Sequence, residues 1–151
     1  MEPRVTMLRT ERLDLNPKNM PILNLKISGN PDGARSQDVV NHLTDLTEKH
    51  LKKKPEVTAI TVQYLPKNQW FVNRKSLAEL GLSSFYLDIK VTDSTNLKDE
   101  KEAYIAAVFR LMEALLGALH QESYVYVEEV KADAYGFGGR TQEYRYIKAK
   151  P

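Results

Sequence analysis

The apolar positions fall into short alternating runs and longer helical ones. In Met20–Gly29 the residues Ile22, Leu25 and Ile27 read as a strand, closed by the turn Gly29-Asn30-Pro31-Asp32-Gly33. Val39, Val40, Leu43, Leu46, His50 and Leu51 then recur at helical spacing. They predict a helix over about 36–53, with Ser36 as its N-cap, Lys52–Lys54 in its last turn and Pro55 as its stop. Val57–Tyr64 is rich in β-branched residues and predicts a second strand, ended by Pro66. Lys67–Arg74, with Trp70 and Phe71, is a connection with room for a short hairpin strand, and Ser76–Leu80 predicts one helical turn. The pattern then starts again. Phe85–Val91 alternates as a strand, and Asp93–Asn96 is a loop. A long helix follows, with Ala103, Ile105, Val108, Phe109, Met112, Leu115, Leu116 and Leu119 on its inner side. Tyr124–Val130 is a further strand, Tyr135–Gly139 a glycine-rich turn, and Tyr144–Ile147 a small closing strand.

The chain therefore reads as βαβ twice, with a period of roughly 60–65 residues. Right-handed crossovers make each strand pair parallel. The two units join into an α+β fold, a four-stranded mixed sheet with both helices on one face. The other sheet face is expected to need a cover, which oligomerisation supplies for an apolar face. Residues 1–19 stand apart as an N-terminal extension, read as a disordered or loosely docked arm. Residues 20–151 form one domain, with units at about 21–80 and 83–147.

Composition narrows the chemistry. The 151 residues carry 22 basic and 20 acidic side chains, so a net charge of +2 with scattered cations gives no case for a nucleic-acid surface. There is no cysteine, hence no disulfide framework, thiolate nucleophile or cysteine-based zinc site. His42 and His50 are too far apart on one helix to share a metal ion, and no Ser-His-Asp pattern occurs. Gly136-Phe137-Gly138-Gly139 opens no long helix and is read as a turn, not as a phosphate loop. No segment has the length of a membrane span or the pattern of a signal peptide, so a cytoplasmic protein is expected.

The pair Met20-Pro21 has its own chemistry. Inside a chain a proline nitrogen is an amide without basicity. At a terminus it is a secondary amine titrating near pH ~8, lower in an apolar pocket, and so suited to act as a general base. Met-Pro is also what a translation start looks like when the mature chain begins with proline.

The Met20-Pro21-Ile22 start, the strand Ile22–Ile27, the helix ending at Pro55, the strand from Val57 and the aromatic-glycine turn at 135–139 together resemble the tautomerase superfamily. The doubled length is similar to the macrophage migration inhibitory factor and 5-carboxymethyl-2-hydroxymuconate isomerase branches rather than to the single-unit 4-oxalocrotonate tautomerase. The resemblance spans 20 to about 147. It implies a trimer with a proline base between subunits and no cofactor. By position, Pro21 matches the catalytic proline. Phe71 falls at the active-site phenylalanine of the short tautomerases, with Tyr135 at the equivalent place in the second unit. Tyr126 matches an active-site tyrosine, and Lys53 or Lys54 a pocket lysine. The strand arginine of the short tautomerases falls on Ile60, so that contact is missing. Arg35 stands in for the arginine after the first strand, and Arg140 is a further candidate for the substrate carboxylate. The 19 residues ahead of Met20 depart from the pattern.

Each candidate also has a plain structural reading. Pro21 is a permitted first residue of a strand. Arg35 and Lys52–Lys54 are solvated helix ends, Trp70 and Phe71 are inter-subunit packing, and Tyr126 is a packed tyrosine with a satisfied hydroxyl. The function implied is a tautomerase or isomerase acting on a small 2-oxo or 2-hydroxymuconate-like acid. The alternatives are a hydratase or dehalogenase on the same scaffold, or a non-catalytic trimer in which Pro21 is internal.

Overall fold

The computed structural model describes residues 21–149. The arm expected over 1–19 lies outside the described residues. Strand β1 (Ile22–Ser28) buries Leu23, Leu25 and Ile27, so Leu23 and not Ile22 shares the core face. Side chains alternate with a period of two, and only one phase faces the helices.

Helix α1 (Gly33–Leu51) begins at Asp32, whose Oδ1 accepts the Arg35 amide at 3.0 Å. The Asp32 cap displaces the expected Ser36 because Ser36 Oγ is held by the Tyr64 hydroxyl at 2.9 Å. Val39, Leu43, Thr47 and Leu51 are its buried stripe. It ends at Lys52, which takes the left-handed conformation with φ 61°. Strand β2 (Ala59–Leu65) runs parallel to β1, with Ala59 opposite Ile22. A hairpin follows, β3 (Phe71–Val72) with β4 (Lys75–Ser76), and then the single turn α2 (Leu77–Leu80), opened by a Ser76–Glu79 capping box.

The second unit repeats the first: β5 (Phe85–Thr92), α3 (Lys98–Leu116), β6 (Tyr124–Val130), the hairpin β7 (Gly136–Phe137) with β8 (Arg140–Thr141), and α4 (Gln142–Ala149). The sheet order is β2-β1-β5-β6, with β1 and β5 antiparallel and the outer pairs parallel. Both long helices pack on one face, and Tyr104 of α3 meets Thr47 of α1 through an oxygen–oxygen contact of 2.9 Å. That contact sets the phase of α3. Its buried positions are Tyr104, Ala107, Val108 and Met112, whereas Ala103 is exposed and Ile105 is 40% exposed, against the expected stripe.

Two further expectations are corrected. Tyr144–Ile147 is helical, because Gln142 and Arg145 go inward three residues apart, the spacing of one helix face. The face of the sheet away from the helices is polar rather than apolar. Thr61 Oγ1 donates to Asn24 Oδ1 at 2.7 Å, and Asn24 Nδ2 donates to Asp88 at 3.3 Å. Lys90 then reaches Asp88 at 3.2 Å and Glu128 at 3.6 Å, completing a network across all four strands. None of the described helices is long and apolar enough to cross a membrane.

Candidate functional site

The repeat gives the sheet two related ends. α1 begins at Gly33 and α3 at Lys98, β2 at Ala59 and β6 at Tyr124, β3 at Phe71 and β7 at Gly136, so a shift of 65 residues superposes them. For the central strands the shift is 64, since Lys26 pairs with Gln63 as Lys90 pairs with Glu128. Antiparallel pairing of β1 and β5 sends the start of each to opposite ends.

At the first end lies Pro21, buried, its carbonyl accepting the Ala59 amide at 3.3 Å. Tyr135 arrives here from the second unit, because β6 ends where β1 begins. Its hydroxyl lies 3.4 Å from the Lys90 carbonyl and hydrogen-bonds the Ile22 backbone, one residue after Pro21. Burial pushes this phenol up to about 12, with the Ile22 contact opposing. It is therefore a neutral hydrogen-bond donor near pH 7. Lys53 and Lys54 also reach this end, since α1 returns antiparallel to β1. Lys53 is 1% exposed, with Nζ 3.2 Å from Thr95 Oγ1 in the loop after β5. Lys54 is half-buried, and its carbonyl accepts from Val57 and Thr58.

The structure separates Arg35, Phe71 and Tyr126 from Pro21. Arg35 sits in the first turn of α1, at the far end of β1; seven residues of strand put it about 20 Å away. It lines a shallow depression with Asp32, Gln37, Asp38 and Asn41. Phe71 is 57% exposed on the hairpin at that same far end. Tyr126 is 51% exposed in mid-sheet, opposite Asp88, two strands across from β1. Arg140 lies on β8 with its guanidinium 4.5 Å from the Tyr144 ring. The internal match also differs from expectation. The counterpart of Tyr135 is Trp70, not Phe71: each directly precedes its hairpin, and their carbonyls accept from the counterparts Gln142 (2.6 Å) and Leu77 (2.9 Å).

The second hairpin carries groups that the strand reading hid. Gln142 is fully buried, and neither side-chain polar atom has a hydrogen-bond partner among the described residues. Arg145, also buried, donates to the Phe137 carbonyl at 3.0 Å and lies 4.0 Å from the Phe137 ring, while its Nε has no partner among the described residues. Gly138 takes φ 59°, which favours glycine, and a Cβ there would meet the Arg145 guanidinium at 2.8 Å. Aligning Gln142 with Leu77 in the sequence would have marked it as an inward position.

The far end holds a cavity of about 630 Å³. Its walls include Lys26, Trp70, Phe71, Tyr86, Glu122 and Tyr124. Phe85 lies there where the repeat places Pro21 at the first end.

No protein-family model matches the sequence, and no curated protein matches it. Solved structures match the fold. One is an F6 fused 4-OT wild-type asymmetric trimer, with TM-score 0.70 and 19% identity, covering 82% of this chain and 97% of its own. Another is the macrophage migration inhibitory factor-like protein of Entamoeba histolytica, with TM-score 0.67 and 18% identity over 82% of this chain and 99% of its own. A third is Pt0534 inactivated by 2-oxo-3-pentynoate, with TM-score 0.71 and 10% identity over 82% and 98%. These identities speak for architecture, and the paired βαβ units, the strand order and the two hairpins agree with it. The chain shares the doubled βαβ fold of the fused 4-OT and macrophage migration inhibitory factor-like structures.

Proposed function

We propose that this chain is a cofactor-independent tautomerase whose base is the Pro21 nitrogen, active in the form that begins at Pro21. The observation that carries the reading is a buried proline opening β1 with a neutral phenol one residue away. The amine takes a proton from the carbon beside a substrate carbonyl, the electron pair moves onto the carbonyl oxygen as an enolate, and the proton returns at the other end of the conjugated system. Tyr135 donates to the enolate oxygen by turning its hydroxyl away from the Lys90 carbonyl. Lys54 and Arg140 are the cations of this end for a substrate carboxylate; Lys53 is too buried to reach one without leaving Thr95. Arg35 and Tyr126 join the Pro21 site only from other copies of the chain, in a homotrimer like that of the fused 4-OT neighbour. The substrate class is a small 2-oxo acid, in keeping with the 2-oxo-3-pentynoate that inactivates Pt0534.

In the sequence as given Pro21 follows Met20 and its nitrogen is an amide. That bond favours a second reading, a non-catalytic trimer on the same scaffold. Phenylpyruvate tautomerisation separates the two. Protein expressed from Met20, with that methionine removed, is expected to turn over, and Pro21→Ala in it to lose 10²-fold or more, as for removal of a general base. Equal rates for proline and alanine refute the proline mechanism. Intact mass of protein from its own host should show a chain beginning at Pro21; one beginning at Met1 favours the second reading. Light scattering should return the mass of three chains.

A further inference from the structure

We infer that the cavity at the far end of the sheet is a second ligand site, one that binds a small aromatic monocarboxylate without turning it over. The internal repeat supplies the reasoning. Lys26 and Lys90 are counterparts, each the third side chain from an end of the central strand pair on the open face. Lys90 has its charge compensated. It pairs with Asp88 at 3.2 Å and Glu128 at 3.6 Å. Burial pulls its ammonium down, but the two carboxylates outweigh that and hold it above its usual value.

In the first unit both carboxylates are replaced by amides. Asn24 stands where Asp88 stands, and Gln63 where Glu128 stands. Asn24 is occupied with Thr61 and Asp88, and among the described residues no carboxylate pairs with Lys26. Its Nζ instead lies 6.0 Å from the centre of the Tyr86 ring. A cation left uncompensated at the wall of a cavity is a place for an anion.

The remaining walls fix the shape of that anion. Trp70, Phe71, Tyr86 and Tyr124 surround the space with ring faces and edges, and Tyr86 and Tyr124 meet at 6.5 Å in an edge-on arrangement. Aromatic walls favour a planar aromatic body. A cavity of about 630 Å³ accommodates one with room to spare. Glu122 also lines the cavity, with its carboxylate accepting from the Tyr124 hydroxyl. Its negative charge disfavours a second carboxylate on the ligand, hence a monocarboxylate. Phe85 in the place of Pro21 offers no base, and the Glu122 carboxylate is held by the Tyr124 hydroxyl, so the site binds and does not catalyse.

Trp70 is the only tryptophan in the chain and lines the cavity, so its fluorescence reports occupancy directly in the full-length protein. Benzoate should quench it saturably, and neutral benzyl alcohol should bind at least tenfold more weakly. Lys26→Gln should weaken benzoate at least tenfold. The double variant Asn24→Asp/Gln63→Glu, which restores the carboxylates of the second unit beside an intact Lys26, should do the same. Far-UV circular dichroism checks each fold, and the two variants remove the free charge by different routes. Absence of saturable quenching, equal affinity for the alcohol and the acid, or undiminished benzoate affinity in a folded variant would overturn the assignment. These readouts do not depend on Pro21. A tautomerase failure with benzoate binding intact removes only the reading of the first end, and the reverse result removes only this one.

Discussion

Replacing Tyr104 by phenylalanine takes a single oxygen out of the interface between α1 and α3. Both Tyr104 and Thr47 are fully buried. Thr47 Oγ1 gives its hydrogen to the Leu43 carbonyl at 2.7 Å, so in the 2.9 Å contact between them the phenol must be the donor. The two single replacements are therefore unequal. Tyr104→Phe loses one neutral hydrogen bond and leaves only a spare acceptor lone pair, a loss of about 1 kcal/mol. Thr47→Val keeps the phenol but strands its O–H in the core, a loss of about 2 kcal/mol. The double replacement removes donor and acceptor together and should lose only about 1 kcal/mol, so the pair couples by about 2 kcal/mol. Urea unfolding of the four proteins at one fixed chain concentration, followed by Trp70 fluorescence and circular dichroism, measures the cycle. Alkali gives a second handle. Burial pushes the Tyr104 phenol far above its ordinary 10.0. The folded state thus holds this proton more tightly than the unfolded one. The associated stability is complete below pH 10 and is lost as the pH rises beyond it, a slope that Tyr104→Phe should flatten. Losses that simply add, with no coupling, would refute the donor assignment.

Gln142→Leu places in the second unit the residue that the first has at Leu77, and removes two buried polar atoms without partners among the described residues. It should raise unfolding stability by about 1 kcal/mol in urea titrations, and a fall would show that the amide has a partner in the assembled protein. Tyr135, pushed up to about 12 by burial, should be among the last of the tyrosines to ionise in an absorbance titration, and Tyr135→Phe should remove that step. Stability resting on this neutral phenol is full below pH 10 and declines between there and about 12, so the wild type should lose more than the variant across that window.

Local rules were enough for the elements. The β-branched run and the helical recurrence of Val39, Leu43 and Leu51 depend on neighbours within a turn or two, and they fold as strand and helix, although the helix closes at Lys52, ahead of the expected stop at Pro55. Where a distant partner decides, the pattern misleads. Ser36 is drawn to Tyr64 and leaves the cap to Asp32, while Tyr104 turns α3 so that Ile105 faces out. At the C-terminus the alternation of Tyr144 and Tyr146 resembles a strand, yet Gln142 and Arg145 pack inward and make a helix.

The sequence by itself determined the doubled βαβ plan, the absence of thiol chemistry and the presence of a proline able to serve as a base when terminal. Tertiary structure decided which residues share an end. Crossover pairing carries the start of α1 the full length of β1 from Pro21, so Arg35 departs, while antiparallel joining of the two units brings Tyr135 in from the other half. Parallel pairing within each unit sets Lys90 between two carboxylates and Lys26 beside two amides. Charge compensation in a sheet runs across strands, and only the register says which side chains are neighbours.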